Sequence, residues 1–429
     1  MDVALPMTAL VVLICLGMPI AYALGVTGAV GAAMAIGWMP TLGVLQTTPY
    51  RTAANFLLST IPLFILMAEL LARSSIVRNL YRMCFLWLGH IRGGLALAAV
   101  AASTGFAALA GSSTAAAAAM ARISVPEMRR YGYDDRLAVG TVAVAGTLSI
   151  MIPPSLGLII YGVLTETSIG SLFMAGVIPG ILTAFGYVTV ILLWVKRRPE
   201  IAPAAPKVPR AERVASIRPV WPAAVLVGLV LGGIYSGAIT ATEAAAVGAM
   251  GALIIGIGWG GLRRSEFAEA LRHTLRSTAM IFAIVIGAMI FGYYLAATRA
   301  PQELIEWVGT LPLPAWGILL VIVLIYLVLG FFIDQLAIII LTLPLTFPLV
   351  MSLGYDPIWF GIIVTKTAEI GLITPPLGMN VFVAASASNT RVETGFKGVM
   401  PFLIGEFVVL GLLIALPELS LWLPGLIAY

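Results

Sequence analysis

Charge is scarce in this chain. Only 10% of its 429 residues are Asp, Glu, Lys or Arg, while 61% are hydrophobic. A soluble domain carries about 25% charged residues, so a water-soluble globule is excluded and an all-α polytopic membrane protein is expected. Cysteine is nearly absent, and Cys15 and Cys84, in apolar or amphipathic surroundings, make neither a disulfide framework nor a metal set. Histidine is limited to His90 and His273, both beside basic stretches, which makes a His-based metal centre or triad implausible. No Walker-type phosphate loop is present, so ATP-driven pumping by this chain is not expected. An intramembrane aspartyl protease needs two facing aspartates, and only Asp334 falls within a span. No enzyme is expected. The start, Met1-Asp2-Val3-Ala4-Leu5, lacks a basic n-region and a small-residue cleavage site. It reads as the first membrane helix rather than a signal peptide.

The basic residues that are present are placed unevenly. Of 24 Lys and Arg, all but Arg51, Arg299 and Lys366 fall in clusters at 73–92, 122–136, 196–218, 263–276 and 391–397. Counted against the apolar spans, every cluster lies on one side of the bilayer. That pattern orients the chain with these clusters in the cytoplasm and argues against a nucleic-acid partner.

The sequence is written twice. Gly132-Tyr133-Asp134 returns as Gly354-Tyr355-Asp356, Pro153-Pro154 as Pro375-Pro376, and Pro179 as Pro401, each pair 222 residues apart. Pro126 and Pro348 share that offset, and so do Ser112-Ser113 and Asp334-Gln335. The first unit is expected over 1–195, a basic proline-rich linker over 196–219 and the second unit over 220–429.

Apolar runs of the roughly 17–25 residues a bilayer needs fall at about 3–21, 23–40 and 53–72. Residues 76–91 show apolar positions at helical spacing against a basic face, the mark of an interfacial helix. The run 94–128 has basic flanks on both sides. It must enter and leave on the cytoplasmic side, turning at Gly111-Ser112-Ser113-Thr114 as a re-entrant hairpin. Residues 137–163 are interrupted by Pro153-Pro154, which breaks a helix into two halves, and a helix at 171–195 returns to the cytoplasm. The second unit repeats the order: spans at 220–237, 241–260 and 277–297, an amphipathic 299–312, a hairpin at 315–352 with its tip near Asp334-Gln335, a broken span at 357–385, and a helix from about 397. An odd number of crossings separates equivalent points, so the repeats are inverted and the two tips should approach each other near mid-membrane.

Inverted repeats with broken helices are a recurring design of secondary transporters. Half-helix N-termini offer N–H groups to anions, and unwound carbonyls and hydroxyls offer oxygens to a hard cation. Gly111, Ser112, Ser113 and Thr114 with Pro153, Pro154, Ser155 and Gly157 are expected to form one sodium or substrate site. Thr374, Pro375, Pro376, Gly378 and Asn380 with Asp334 and Gln335 are expected to form its counterpart. Close helix packing by small residues is the alternative reading, and the copy in register favours the ion sites. Among ionisable residues within spans, Lys366 and Glu369 are spaced to pair with each other. Asp334 could bind a cation, a proton or the substrate. Glu69 and Glu406, near span ends, are expected to be snorkelling or interfacial, and Trp307, Trp316 and Trp359 to sit in the aromatic belt.

The Ala-Gly-Ser-Ser-Thr-Ala tip at 110–115, Ile-Pro-Pro-Ser at 152–155, Thr-Pro-Pro-Leu-Gly-Met-Asn at 374–380 and Leu-Gly-Met-Pro-Ile-Ala-Tyr-Ala-Leu-Gly at 16–25 resemble the large membrane subunit of tripartite ATP-independent periplasmic (TRAP) transporters. The resemblance covers essentially the whole chain. It implies a sodium-coupled importer of an organic anion in the bacterial inner membrane, working by an elevator mechanism. Two partners are implied: a small four-helix membrane subunit and a periplasmic substrate-binding protein. Because the chain begins at the first large-subunit helix, the small subunit is expected on a separate polypeptide. A stand-alone sodium/dicarboxylate symporter of the same superfamily is the alternative.

Overall fold

The computed structural model describes residues 4–426; residues 1–3 and 427–429, which include the outer end of the predicted first span and the last residues of the second unit, lie outside them. The described residues contain helices and no strand. Seven helices are long and apolar enough to cross a membrane, and five shorter apolar helices accompany them.

The element order repeats in register. The first hairpin is Gly94–Ala110 and Ser113–Arg130, and the second is Ala315–Gly330 and Gln335–Ser352. The first broken helix is Asp135–Met151 and Leu156–Thr165, and the second is Pro357–Gly371 and Met379–Ala387. Ser113, Arg130 and Asp135 correspond at an offset of 222 to Gln335, Ser352 and Pro357, each of them a helix boundary. Both Pro-Pro bonds, 153–154 and 375–376, are cis.

The half-helix Asp135–Met151 is the axis of the molecule, buried without interruption from Leu137 to Met151. Such burial on all sides requires small residues where neighbours cross. Gly140 and Gly398 bring that axis and Val392–Ala415 together backbone to backbone: a methyl on Gly140 would lie 2.5 Å from the Gly398 carbonyl carbon. The outer helices use the same device. Gly28 on Ile20–Ile36 meets Phe291 on Arg264–Ala297, where a methyl would sit 2.6 Å from the Phe291 Cα. In a bilayer, where lipid is as apolar as the protein, close approach of this kind supplies the packing that holds helices together.

Several expected spans have different bounds. The first two are Ala4–Cys15 and Ile20–Ile36, parted at Gly17, which has φ +85°, and Pro19. A helix at Trp38–Ala53 was not expected; it precedes a short 3₁₀ turn, Phe56–Ser59, and the span Thr60–Arg73. In the second unit the equivalent stretch is the single helix Arg264–Ala297. It begins well before the expected 277, because a charged first turn is capped where the Arg263 N–H donates to Glu266 at 2.7 Å. The interfacial helix, Ile76–Leu88, buries Ile76, Val77, Leu80, Tyr81 and Cys84 on one face.

The linker is docked rather than free. The carbonyls of Ile201 and Ala202 accept from the N–H groups of Asp134 at 2.9 Å and Gly93 at 3.1 Å, and Ala205 N–H donates to Gly89 O at 2.8 Å. These bonds strap both feet of the first hairpin together. Trp307 and Trp316 are exposed as belt residues should be, but Trp359 is buried and its indole N–H donates to Leu413 O at 2.8 Å. Its position near a predicted helix end concealed a packing partner on another helix.

Candidate functional site

Each hairpin turns by a local rule. The first leg of hairpin one ends at Ala110, Gly111 takes φ +60°, and Ser112 is extended before the second leg starts at Ser113. Only glycine adopts that φ without strain, and a side chain there would also press on the Pro154 carbonyl, 3.3 Å from the added carbon. Hairpin two is capped by its acid instead: the Asp334 carboxylate accepts from the Leu336 N–H at 3.1 Å. A carboxylate at a helix N-terminus satisfies an otherwise unpaired donor and the helix dipole together.

The tips cross over. The Asn380 amide, on the second broken helix, donates to Ser113 Oγ at the tip of hairpin one and to Ala143 O at 3.3 Å. Reciprocally, Gln335 at the tip of hairpin two lies against Gly157 on the first broken helix, where its amide nitrogen occupies the place of any added Cβ. The two contacts are pseudo-symmetric mates, because Ser113 and Gln335 are equivalent by register and Gly157 stands beside the equivalent of Asn380.

Between the tips and the outer helices lies a cavity of about 770 Å³. Gly111, Ser112, Ser113, Thr114, Asp334 and Gln335 all line it. Pro153, Pro154, Ser155, Gly157, Thr374, Pro375, Pro376, Gly378 and Asn380 do not. They build the joints behind it: Ser155 is buried and caps the half-helix through Leu158 N–H at 3.4 Å, while Thr374 Oγ1 donates back to Ile370 O at 2.6 Å. The joints instead present Leu156, Leu372 and Met379 to the cavity.

Four helices begin at this cavity: Ser113, Gln335, Leu156 and Met379 are each the first residue of a helix, and each lines it. No Lys or Arg is among the lining residues, so the groups there that can face an anion are first-turn N–H groups and hydroxyls. Acceptors for a cation are also at hand. Ser112 and Thr114 hydroxyls lie 3.5 Å apart, Asp334 makes no ion pair among the described residues, and the buried Asn380 Oδ1 is without a hydrogen-bond partner.

The facing wall was not anticipated from the sequence. It comes from residues 19–22, Glu69, Ala72, Ser277, residues 279–281, Ala283 and Ile284, and Ala72 and Ser277 adjoin the basic positions Arg73 and Arg276. The cavity is therefore set toward the basic side. Glu69 stands partly exposed at this wall, bound to Arg73 at 3.2 Å, which in turn reaches Glu269 at 2.6 Å. Glu406 is neither snorkelling nor interfacial: it is completely buried and ion-paired with Lys366. Lys366 and Glu369 pair at 3.2 Å, as their spacing suggests. Glu406, inside the helix Val392–Ala415, gave no sign in the sequence that its partners lie on other helices.

The fold and sequence have known counterparts. The model of the tripartite ATP-independent periplasmic transporter, DctM component, matches residues 7–419. The C4-dicarboxylate TRAP transporter large permease protein DctM of Pseudomonas aeruginosa is 39% identical over 377 residues, 88% of each chain. The sialic acid TRAP transporter large permease protein SiaM of Vibrio cholerae is 34% identical over 87% of each. Among solved structures, the YdaH transporter of Alcanivorax borkumensis shares the fold with TM-score 0.58 over 90% of this chain and 89% of that one, at 15% identity. This chain belongs to the DctM family, the large permease component of tripartite ATP-independent periplasmic transporters.

Proposed function

We propose that this permease carries an organic anion, a carboxylate or sugar acid, into the cell by sodium-coupled symport. A periplasmic binding protein delivers the solute, and a small four-helix membrane subunit completes the complex in the bacterial inner membrane. The observation that carries the reading is the convergence of four helix N-termini and two polar hairpin tips on one cavity without a Lys or Arg in its wall. An anion is held there by backbone N–H groups and by the cation that binds beside it. Sodium takes its oxygens from the Ser112, Ser113 and Thr114 hydroxyls and the joint behind them, and in the counterpart site from Asp334 and Asn380 Oδ1.

The same geometry supports an elevator movement. The hairpins pack against the broken helices as one body, whereas the opposing wall belongs to the outer helices Ile20–Ile36, Thr60–Arg73 and Arg264–Ala297. Sliding the first against the second carries the tips, with their load, past a fixed wall.

The test is uptake into liposomes holding this chain and its small subunit, with labelled C4-dicarboxylates and sugar acids. Conditions are with and without an inward sodium gradient and with and without the binding protein. The reading requires uptake to need both. Uptake with sodium alone would favour a stand-alone symporter, and uptake driven by a proton gradient without sodium would overturn the ion-site assignment.

A further inference from the structure

Behind the cavity, the first halves of the two broken helices pack against Ile169–Arg197 and Val392–Ala415. Lys366, Glu369 and Glu406 are enclosed there with no exposed surface. Lys366 Nζ lies 3.2 Å from Glu369 Oε2 and donates to Thr183 Oγ1 at 2.9 Å, and it is ion-paired with Glu406 Oε2. On the other side of the carboxylates runs a line of hydroxyls. Tyr187 donates to Glu406 Oε1, the Tyr187 and Thr147 hydroxyls are 2.9 Å apart, and Thr147 donates to Glu369 Oε1 at 2.6 Å. Glu406, Tyr187, Thr147 and Glu369 thus form a continuous chain whose two ends both meet Lys366.

Two independent counts come up short at this cluster. The first is charge: one ammonium faces two carboxylates, and among the described residues Tyr187 is the one other titratable side chain in contact with them. An uncompensated charge in so buried a place is costly. The second is hydrogens. The chain has three oxygen–oxygen contacts, and the Thr147 hydroxyl also lies 2.7 Å from Val144 O, yet two ionised carboxylates bring no hydrogen and the two hydroxyls bring two. The charge count lacks one proton, and the hydrogen count lacks at least one. A metal ion is not a substitute, because every carboxylate oxygen already faces a donor or the ammonium, and no group of three or more metal-ligating side chains occurs among the described residues.

We propose that the cluster is a proton-binding site, holding one proton shared between Glu369 and Glu406 through Tyr187 and Thr147. With the proton on Glu406, donation runs from Glu406 to Tyr187 to Thr147 to Glu369. With it on Glu369, the same three bonds run the other way. Passing between these states moves one proton across each of the three bonds, and the total is unchanged. In either state Lys366 faces a single negative charge, so this core is neutral. None of these four residues lines the cavity, so the proton is a resident of the protein and not cargo. Nothing here depends on which solute or ion is transported.

Infrared spectroscopy of the full chain in lipid at pH 8 tests the site through the carbonyl stretch of a protonated carboxylic acid, identified by its shift in D₂O. The wild type should show this band. Glu406→Gln and Glu369→Gln should each abolish it while keeping a folded protein, since the remaining carboxylate then pairs one-to-one with Lys366. The double variant Glu369→Gln/Glu406→Gln, which leaves Lys366 without a counter-ion, should be far less stable than either single one. Asp334→Asn and Glu69→Gln should leave the band in place. Absence of the band in the wild type, its survival in both single variants, or its loss in Asp334→Asn or Glu69→Gln would overturn the proposal. Should the single variants fail to fold, the wild type and the last two variants still decide it.

Discussion

Gly371, at the end of the first half of the second broken helix, sets how closely hairpin two can sit against that helix. A methyl built there lies 2.5 Å from Gly330 Cα, 2.7 Å from its carbonyl carbon and 3.0 Å from its carbonyl oxygen. Carbon atoms rest at about 3.5–4.0 Å, so Gly371→Ala has to push the hairpin leg back by about 1 Å. All three neighbours are backbone atoms and cannot rotate aside. Overpacking of this kind costs about 1–3 kcal/mol. Against it stands the helix preference of Ala over Gly, at most about 1 kcal/mol and less at the last helical residue. The clash wins, by about 1–2 kcal/mol. At Gly330 the reverse substitution meets one tight neighbour, at 2.9 Å, and the next two lie at 3.6 and 3.7 Å, so its loss should be smaller. Gly232→Ala, with nothing within 4 Å, should be neutral or slightly stabilising. Thermal unfolding of the three purified variants at fixed sodium and detergent gives the comparison. If Gly371→Ala melts with or above Gly232→Ala, the close hairpin contact is not a determinant of the fold.

Other substitutions separate stability from transport. Gly157→Ala displaces only the far end of the Gln335 side chain, so stability should change by less than about 0.5 kcal/mol while uptake falls. Equal loss of both would contradict the contact between tip and joint. Asn380→Ala removes the donor to Ser113 and Ala143; it should cost about 1–3 kcal/mol and raise the sodium concentration needed for half-maximal uptake. Unchanged sodium dependence would remove Asn380 from the ion site. Lys366→Met leaves the buried negative charge shared by Glu369 and Glu406 without its ammonium and should cost about 3–5 kcal/mol in unfolding experiments at neutral pH; a midpoint like the wild type's would deny the cluster a role in stability.

The parts of this fold that were legible in the sequence are those that local chemistry determines. A double proline ends a helix wherever it stands, and a Gly-Ser-Ser turn inside an apolar run marks a tip. Repetition at a constant offset then raised each weak signal. The tip residues were legible for the same reason, and all six of them line the cavity. Trp38–Ala53 was missed because its buried face is Thr41, Val44, Thr48 and Thr52, a helical spacing written in threonines that a hydrophobic-run criterion passes over. The charged beginning of Arg264–Ala297 was missed because hydropathy reports where the bilayer starts, not where a helix does. The opposing wall at Glu69 and Ser277, and the burial of Glu406 and Trp359, depend on contacts between distant helices. No local pattern encodes them.

The most direct test of the central claim asks whether both hairpin tips sense sodium together. Ala115→Cys and Leu336→Cys place a thiol at each tip on residues that line the cavity and are not assigned as ligands. Cys15 is exposed and is replaced by serine. Cys84 can remain, since it is buried and burial pushes its thiol up to about 11, which keeps it unreactive. Labelling by a membrane-impermeant maleimide from the cytoplasmic side is then followed in sodium and in potassium at equal ionic strength. The account predicts that sodium, and not potassium, slows labelling at both positions. Rates indifferent to sodium at both tips would contradict it.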